Sequence, residues 1–210
     1  MHTDAAYILG LESVRMDQPK TIQFVPSRFL ESFIAVAREL IYRPRCFFEQ
    51  LQPSGSIFGP FTFLFVCVFL SSLVVANAIG ANLSLFAALF VSSTVSAVLG
   101  VVCLHVVLVS PLFNAKLPYE ATLSVIAYAY IVELVAWIPL IGSIAKIYGL
   151  FLMYLGFKAI HRLQARRAAF AVFLFVMLSG ISWNMMIGLT APEWLDSQVK
   201  AIESLINNAL

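Results

Sequence analysis

Charged residues are scarce in this chain. Asp, Glu, Lys and Arg together make up 11% of its 210 positions, against about a quarter in a soluble domain. So few charges cannot cover a water-facing surface, and 61% of the residues are hydrophobic. The balance excludes an ordinary soluble domain and implies a multi-span membrane protein. Cysteine is scarce as well. The three, Cys46, Cys67 and Cys103, are scattered and fit neither metal nor redox spacing. Cys67 and Cys103 lie in apolar runs and are expected in the core. Cys46 stands beside the membrane, where lipid acylation is conceivable.

Motifs that carry chemistry are missing too. HExxH, GxSxG, a Walker loop and a dinucleotide fingerprint are all absent, as are metal-spaced Cys/His clusters. No basic and aromatic patch points to nucleic acid. The expectation is a protein that is not an enzyme and has no cofactor or metal. No apolar core stands near the start of the sequence, so the first span is expected to act as its own insertion signal.

What is present is organised around residues 119–160. As one helix this stretch would run about 63 Å, twice a hydrocarbon core. Pro139 and Gly142 interrupt it, which predicts a hairpin of two spans with a very tight turn. Each arm carries one charge. Glu133 shares a helix face with Thr122, Ala129 and Ala136, and Lys146 shares one with Gly142, Gly149 and Gly156. Small residues every seven positions let membrane helices approach closely. Glu133 and Lys146 are therefore expected to face each other or to share a polar pocket. The pair reads either as a register pin, with Lys146 free to snorkel, or as a ligand or ion-pathway site.

The remaining chain gives an all-α integral membrane protein, a five-transmembrane-helix bundle flanked by two amphipathic helices. Residues 1–26 form a polar tail, with a short helix possible around 5–11. Residues 27–57 form an amphipathic segment with Ser27 as N-cap and an apolar stripe of Leu30, Phe33, Ile34, Ala37, Leu40 and Ile41. It suits either the membrane interface or the ends of the spans. The membrane domain covers 58–190, with spans at about 60–80, 85–109, 119–138, 140–160 and 169–189. Ser92, Ser96 and Gly100 make a small-residue face on the second span. Asn77 reads as an interhelical hydrogen-bonder and His105 as an interfacial histidine. Residues 110–118 and 161–168 read as loops. Thr190 and Glu193 have capping-box spacing ahead of an outer-side amphipathic helix over 191–210.

Orientation follows from the cations. Arg15, Lys20, Arg28, Arg38, Arg43, Arg45, Lys116, Lys158, Arg162, Arg166 and Arg167 fall on one side of a five-span chain, eleven of the thirteen Lys and Arg. The positive-inside rule places that side, and the N-terminus, in the cytoplasm and the C-terminus outside. Arg43, Arg45, Arg162, Arg166 and Arg167 are candidate contacts for anionic lipid; plain positive-inside anchoring explains the 161–167 group equally. The Asn82-Leu83-Ser84 sequon lies on the outer side.

Several stretches resemble the Yip family, five-span membrane proteins of the Ypt/Rab-interacting type, and in particular its shorter prokaryotic relatives. The run Tyr42-Arg43-Pro44-Arg45-Cys46-Phe47-Phe48-Glu49-Gln50-Leu51 is similar to the family's proline and paired-aromatic entry. Phe58-Gly59-Pro60-Phe61 is similar to its glycine-proline motif, and Pro118-Tyr119 through Ile138-Pro139, Gly156-Phe157-Lys158 and His161 to Ala168 resembles its third and fourth spans. The resemblance implies five spans, a cytoplasmic N-terminus and a bacterial or archaeal cytoplasmic membrane. For eukaryotic members it implies Rab GTPase binding and vesicle traffic. Those members have an acidic residue just before the glycine-proline, where this chain has Ser56 and Ile57, so small-GTPase binding is not carried over. The leading functional expectation is an adaptor or scaffold that organises membrane lipids, a membrane-protein partner or a second copy of itself. The alternative is a lipid or small-solute transporter with a polar path around Glu133 and Lys146. An enzyme subunit without its own catalytic motif is a third.

Overall fold

The structure is a computed structural model that describes residues 23–52, 56–111, 113, 115–193, 196 and 200. The expected helix near 5–11 and most of the expected C-terminal helix lie outside the described residues. Among those described the regular elements are all helices, in the order α1 (Phe29–Tyr42), α2 (Pro44–Gln50), α3 (Phe58–Ala78), α4 (Leu83–Val109), α5 (Tyr119–Ala129), α6 (Ile141–Ile160) and α7 (Ala165–Thr190), with 3₁₀ turns at Pro26–Arg28 and Tyr130–Leu134. Four of these, α3, α4, α6 and α7, are long and apolar enough to cross a membrane. At 1.5 Å per residue the shortest is about 30 Å long, the thickness of a hydrocarbon core. This is a multi-pass membrane protein.

The bundle closes around α5. All nine residues from Ala121 to Ala129 are buried, against α3, α4 and α6. Small side chains at Ala121, Ser124, Ala127 and Ala129 let three neighbours approach one short helix. The sequence expects an unbroken arm over 119–138, but the α-helix stops after eleven residues. It tightens into a 3₁₀ turn over Tyr130–Leu134 and then a run of turns to Leu140. Ile131 and Val132 of the 3₁₀ turn are buried, whereas Val135, Trp137 and Leu140 of the turns that follow are exposed.

The turn into α6 is sterically tight. Leu140 has φ 65 and ψ −55, and Ile141 N–H donates to the Pro139 carbonyl at 2.8 Å. That is a γ-turn of the strained hand, in the left-handed half of conformational space that non-glycine residues avoid. Gly142 follows, with its missing Cβ aimed at the Ala136 carbonyl. Further along the same face of α6, a Cβ on Gly149 would lie 2.8 Å from Val132 Cγ2, and one on Gly156 would lie 2.6 Å from Val125 Cγ1. The glycines at seven-residue spacing thus lie against the chain that leads into the turn.

The N-terminal segment also packs against α6. Its apolar stripe is divided. Phe33, Ala37 and Leu40 pack on the bundle, together with Val36, whereas Leu30, Ile34 and Ile41 are exposed as an outward ridge. The Tyr148 hydroxyl of α6 donates to the Leu40 carbonyl at 2.6 Å, filling an acceptor left free at the end of α1. In α2, Phe47 meets Tyr128 edge-on at 5.1 Å, and Phe48 lies over Gly156. Phe24 is buried ahead of α1, its N–H donating to the Tyr128 hydroxyl at 3.3 Å, and its carbonyl would be 2.8 Å from a Cβ on Gly59. The paired-aromatic and glycine-proline motifs are therefore seats for one N-terminal clamp. Tyr148→Phe is expected to cost about 1 kcal/mol and to speed amide exchange in α1 relative to α3; equal exchange in both proteins would contradict the clamp.

Other expectations are corrected. Ser27 lies within the 3₁₀ turn opened by Pro26 and makes no cap; Ser32 Oγ instead donates to the Val25 and Phe29 carbonyls. Asn77 donates back to the Leu73 carbonyl of its own helix, and Asn82 caps α4 through the Leu85 N–H. Cys103 is exposed, in an outward stripe with Leu99, Val102 and Val106. Lipid is as apolar as the core, so an apolar run does not reveal which face it buries. Residues 165–168, read as loop, are the first turn of α7.

Candidate functional site

Where the helix after α5 breaks, the bundle opens. A cavity of about 600 Å³ lies among α3, α4, the 3₁₀ turn, α6 and α7. Its lining is mostly apolar, from Val68, Val132, Leu150, Met153, Phe175 and Val176, with a polar strip of Ser71, Ser72, Ser93, Ser96, Ser179, Tyr130, Glu133 and Lys146. Ala129, Gly149, Gly180 and Trp183 complete it. A few polar groups converging in an apolar hollow of this size are the usual form of a small-molecule site.

The two charges enter from adjacent walls, the 3₁₀ turn and α6, which pack on each other. Glu133 hangs from the 3₁₀ turn, half-buried, and Lys146 stands on the second turn of α6, exposed. Lys146 acts electrostatically on Glu133, yet the two make no contact ion pair. Lys146, Leu150 and Val176 are the exposed members of the wall, so the mouth lies between α6 and α7 and opens sideways from the bundle. Ser96 sits deep, 3% exposed, with its Oγ buried and without a hydrogen-bond partner. A buried hydroxyl left unpaired costs about 1–3 kcal/mol.

The remaining predicted positions divide by role. Ser92 Oγ pairs with Thr190 Oγ1 at 3.0 Å, and Gly100 meets the Phe175 ring and Ser179 of α7. Ala129 is in the cavity wall, while Ala136 supplies the carbonyl beneath Gly142. Arg43, Arg45, Arg162, Arg166 and Arg167 are all exposed, and none reaches the cavity. Among the described residues no His/Cys/Asp/Glu group could hold a metal ion.

A second polar cluster escaped the sequence reading. Thr122, fully buried on α5, pairs with His105 Nδ1 at 3.0 Å and with His161 Nε2 at 3.3 Å, while His161 Nδ1 has no partner. His161 caps α6 and lies beyond the spans. Burial, with His105 close by, lowers its pKa to about 4. No spacing rule joins residues 105, 122 and 161; the only local signal is that both histidines end apolar helices.

Residues 38–185 match the model of a protein family described as the Yip1 domain. No curated protein and no solved structure matches the chain.

Proposed function

The chain belongs to the Yip1-domain family, and we propose that it is a non-enzymatic membrane scaffold that organises partner proteins or lipids. In this reading it crosses the bilayer five times, α5 with its 3₁₀ extension being the third crossing. Its N-terminus is cytoplasmic, and its membrane is the cytoplasmic membrane of a bacterium or archaeon. The observation that carries the scaffold reading is the clamp on α1 and α2. Tyr148, Gly156 and Tyr128 hold these helices side-on, leaving Leu30, Ile34 and Ile41 as an outward ridge beside exposed Arg43 and Arg45. A fixed ridge with flanking cations suits anionic lipid or a partner helix. Small-GTPase binding is not part of this proposal.

The test is in-membrane crosslinking of the full chain, followed by identification of co-purifying proteins and lipids. Leu30→Ser/Ile34→Ser/Ile41→Ser, which spares the bundle-facing side of α1, is expected to lose at least one association. A variant that keeps every association would end the scaffold reading. The cavity supports a second one, a lipid or small-solute transporter working around Glu133 and Lys146. Flux through liposomes that survives Glu133→Gln/Lys146→Gln would count against that path.

A further inference from the structure

We propose that the cavity is a binding site for one phospholipid with a primary ammonium headgroup, of the phosphatidylethanolamine type. The proposal deepens the second reading to the extent that the cavity must accept a lipid; it requires no transport.

Four observations point to such an occupant. First, the charges on the wall are one of each sign, Glu133 half-buried and Lys146 at the mouth, and make no contact ion pair, so the site matches a zwitterion. The Glu133 carboxylate can accept hydrogen bonds from an ammonium, and the Lys146 ammonium can donate to a phosphate. Second, Ser96 Oγ is buried in the same hollow without a partner. A phosphate oxygen would accept its hydrogen and remove that cost. Third, the mouth between α6 and α7 has exposed Leu150 and Val176 on its rim. Acyl chains could leave sideways over that rim, which a soluble zwitterion has no use for. Fourth, the end of α5 and the 3₁₀ turn after it set Glu133 in the wall of an otherwise mostly apolar hollow.

Headgroup class follows from donor count. An ammonium with N–H bonds satisfies a carboxylate directly, whereas a trimethylammonium offers it none. Quaternary ammonium is instead held by aromatic faces; Tyr130, Phe175 and Trp183 also line the hollow, so phosphatidylcholine is the competitor the test has to exclude. A headgroup with net negative charge would bring a second anion beside Glu133.

Native mass spectrometry of the full chain would test this, with palmitoyl-oleoyl phosphatidylethanolamine, phosphatidylcholine and phosphatidylglycerol offered in equal amounts. Phosphatidylethanolamine should bind one per chain and dominate. Glu133→Gln should weaken it about tenfold while changing phosphatidylcholine little. Gly180→Leu keeps the test decisive if Glu133→Gln folds poorly. A Cβ at Gly180 meets nothing within 4 Å, so a leucine there can fill the hollow from α7 and should abolish binding in a folded protein. Equal binding of all three lipids, or unchanged binding to folded Gly180→Leu, would overturn the headgroup assignment or its location while leaving a lipid reading alive. Absence of any bound phospholipid would overturn both.

Discussion

Among the described glycines whose surroundings are given above, Gly142→Ala is expected to be the most damaging added methyl. Its Cβ would fall on the Ala136 carbonyl, a backbone atom with no rotamer to change. That carbonyl cannot retreat easily, because Gly142 N–H donates to Ile138 O at 2.6 Å and Ile138 N–H to Val135 O at 3.1 Å within the same turn. Overpacking of this kind costs about 3 kcal/mol, which lowers a thermal midpoint by roughly 6–12 °C in a chain of this size. Thermal unfolding in detergent measures it, with Gly180→Ala as the control. Gly180 is also helical but has open space around its Cβ, so the same change there should stabilise by up to about 1 kcal/mol. Equal midpoints for the two variants would mean that the hairpin turn has slack the geometry does not show.

Acid should unfold the protein through His161. Its imidazole titrates at about 4 in the folded bundle and near 6.5 in an open chain. Between those values the unfolded chain holds more protons, so stability rises with pH. The contribution is complete above about pH 6.5 and falls away as the pH drops toward 4, removing about 3 kcal/mol by then. Unfolding midpoints at pH 7, 5.5 and 4 should therefore descend. His161→Gln keeps a polar partner for Thr122 but cannot take up a proton, and its profile should be flatter over the same window. An identical acid slope in both proteins would assign the loss to other groups.

The long apolar helices and the family are legible in the sequence, because lipid demands about 20 apolar residues per crossing and the aromatic and glycine-proline stretches are distinctive. The third segment is less so. Its residues are apolar enough to read as one arm, but Ile131, Val132 and Val135 are β-branched and weak in helices, and Pro139 biases Ile138 away from helical geometry. Hydrophobicity alone reports neither. At the site, two charges and three glycines at seven-residue spacing stand out along the chain. Of the serines that complete the cavity, Ser96 lies on the small-residue face visible in the sequence, but Ser71, Ser93 and Ser179 do not stand out, because helix faces become neighbours only through packing. The divided stripe of α1 shows the same limit: one apolar band can serve a protein contact on one edge and face outward on the other.

The burial of α5 from Ala121 to Ala129 bears on how the chain is made. Two of its walls, α3 and α4, precede it in the sequence, while the third, α6, follows eleven residues behind its end. At a synthesis rate of roughly 5–20 residues per second, α5 is finished seconds before α6 is whole, with one side still open. Thr122 likewise has His105 at hand but waits for His161 to be made. The buried helix is therefore guest before it is keystone: its last wall, its second histidine and the glycines that let it sit so close all arrive with the segment translated after it.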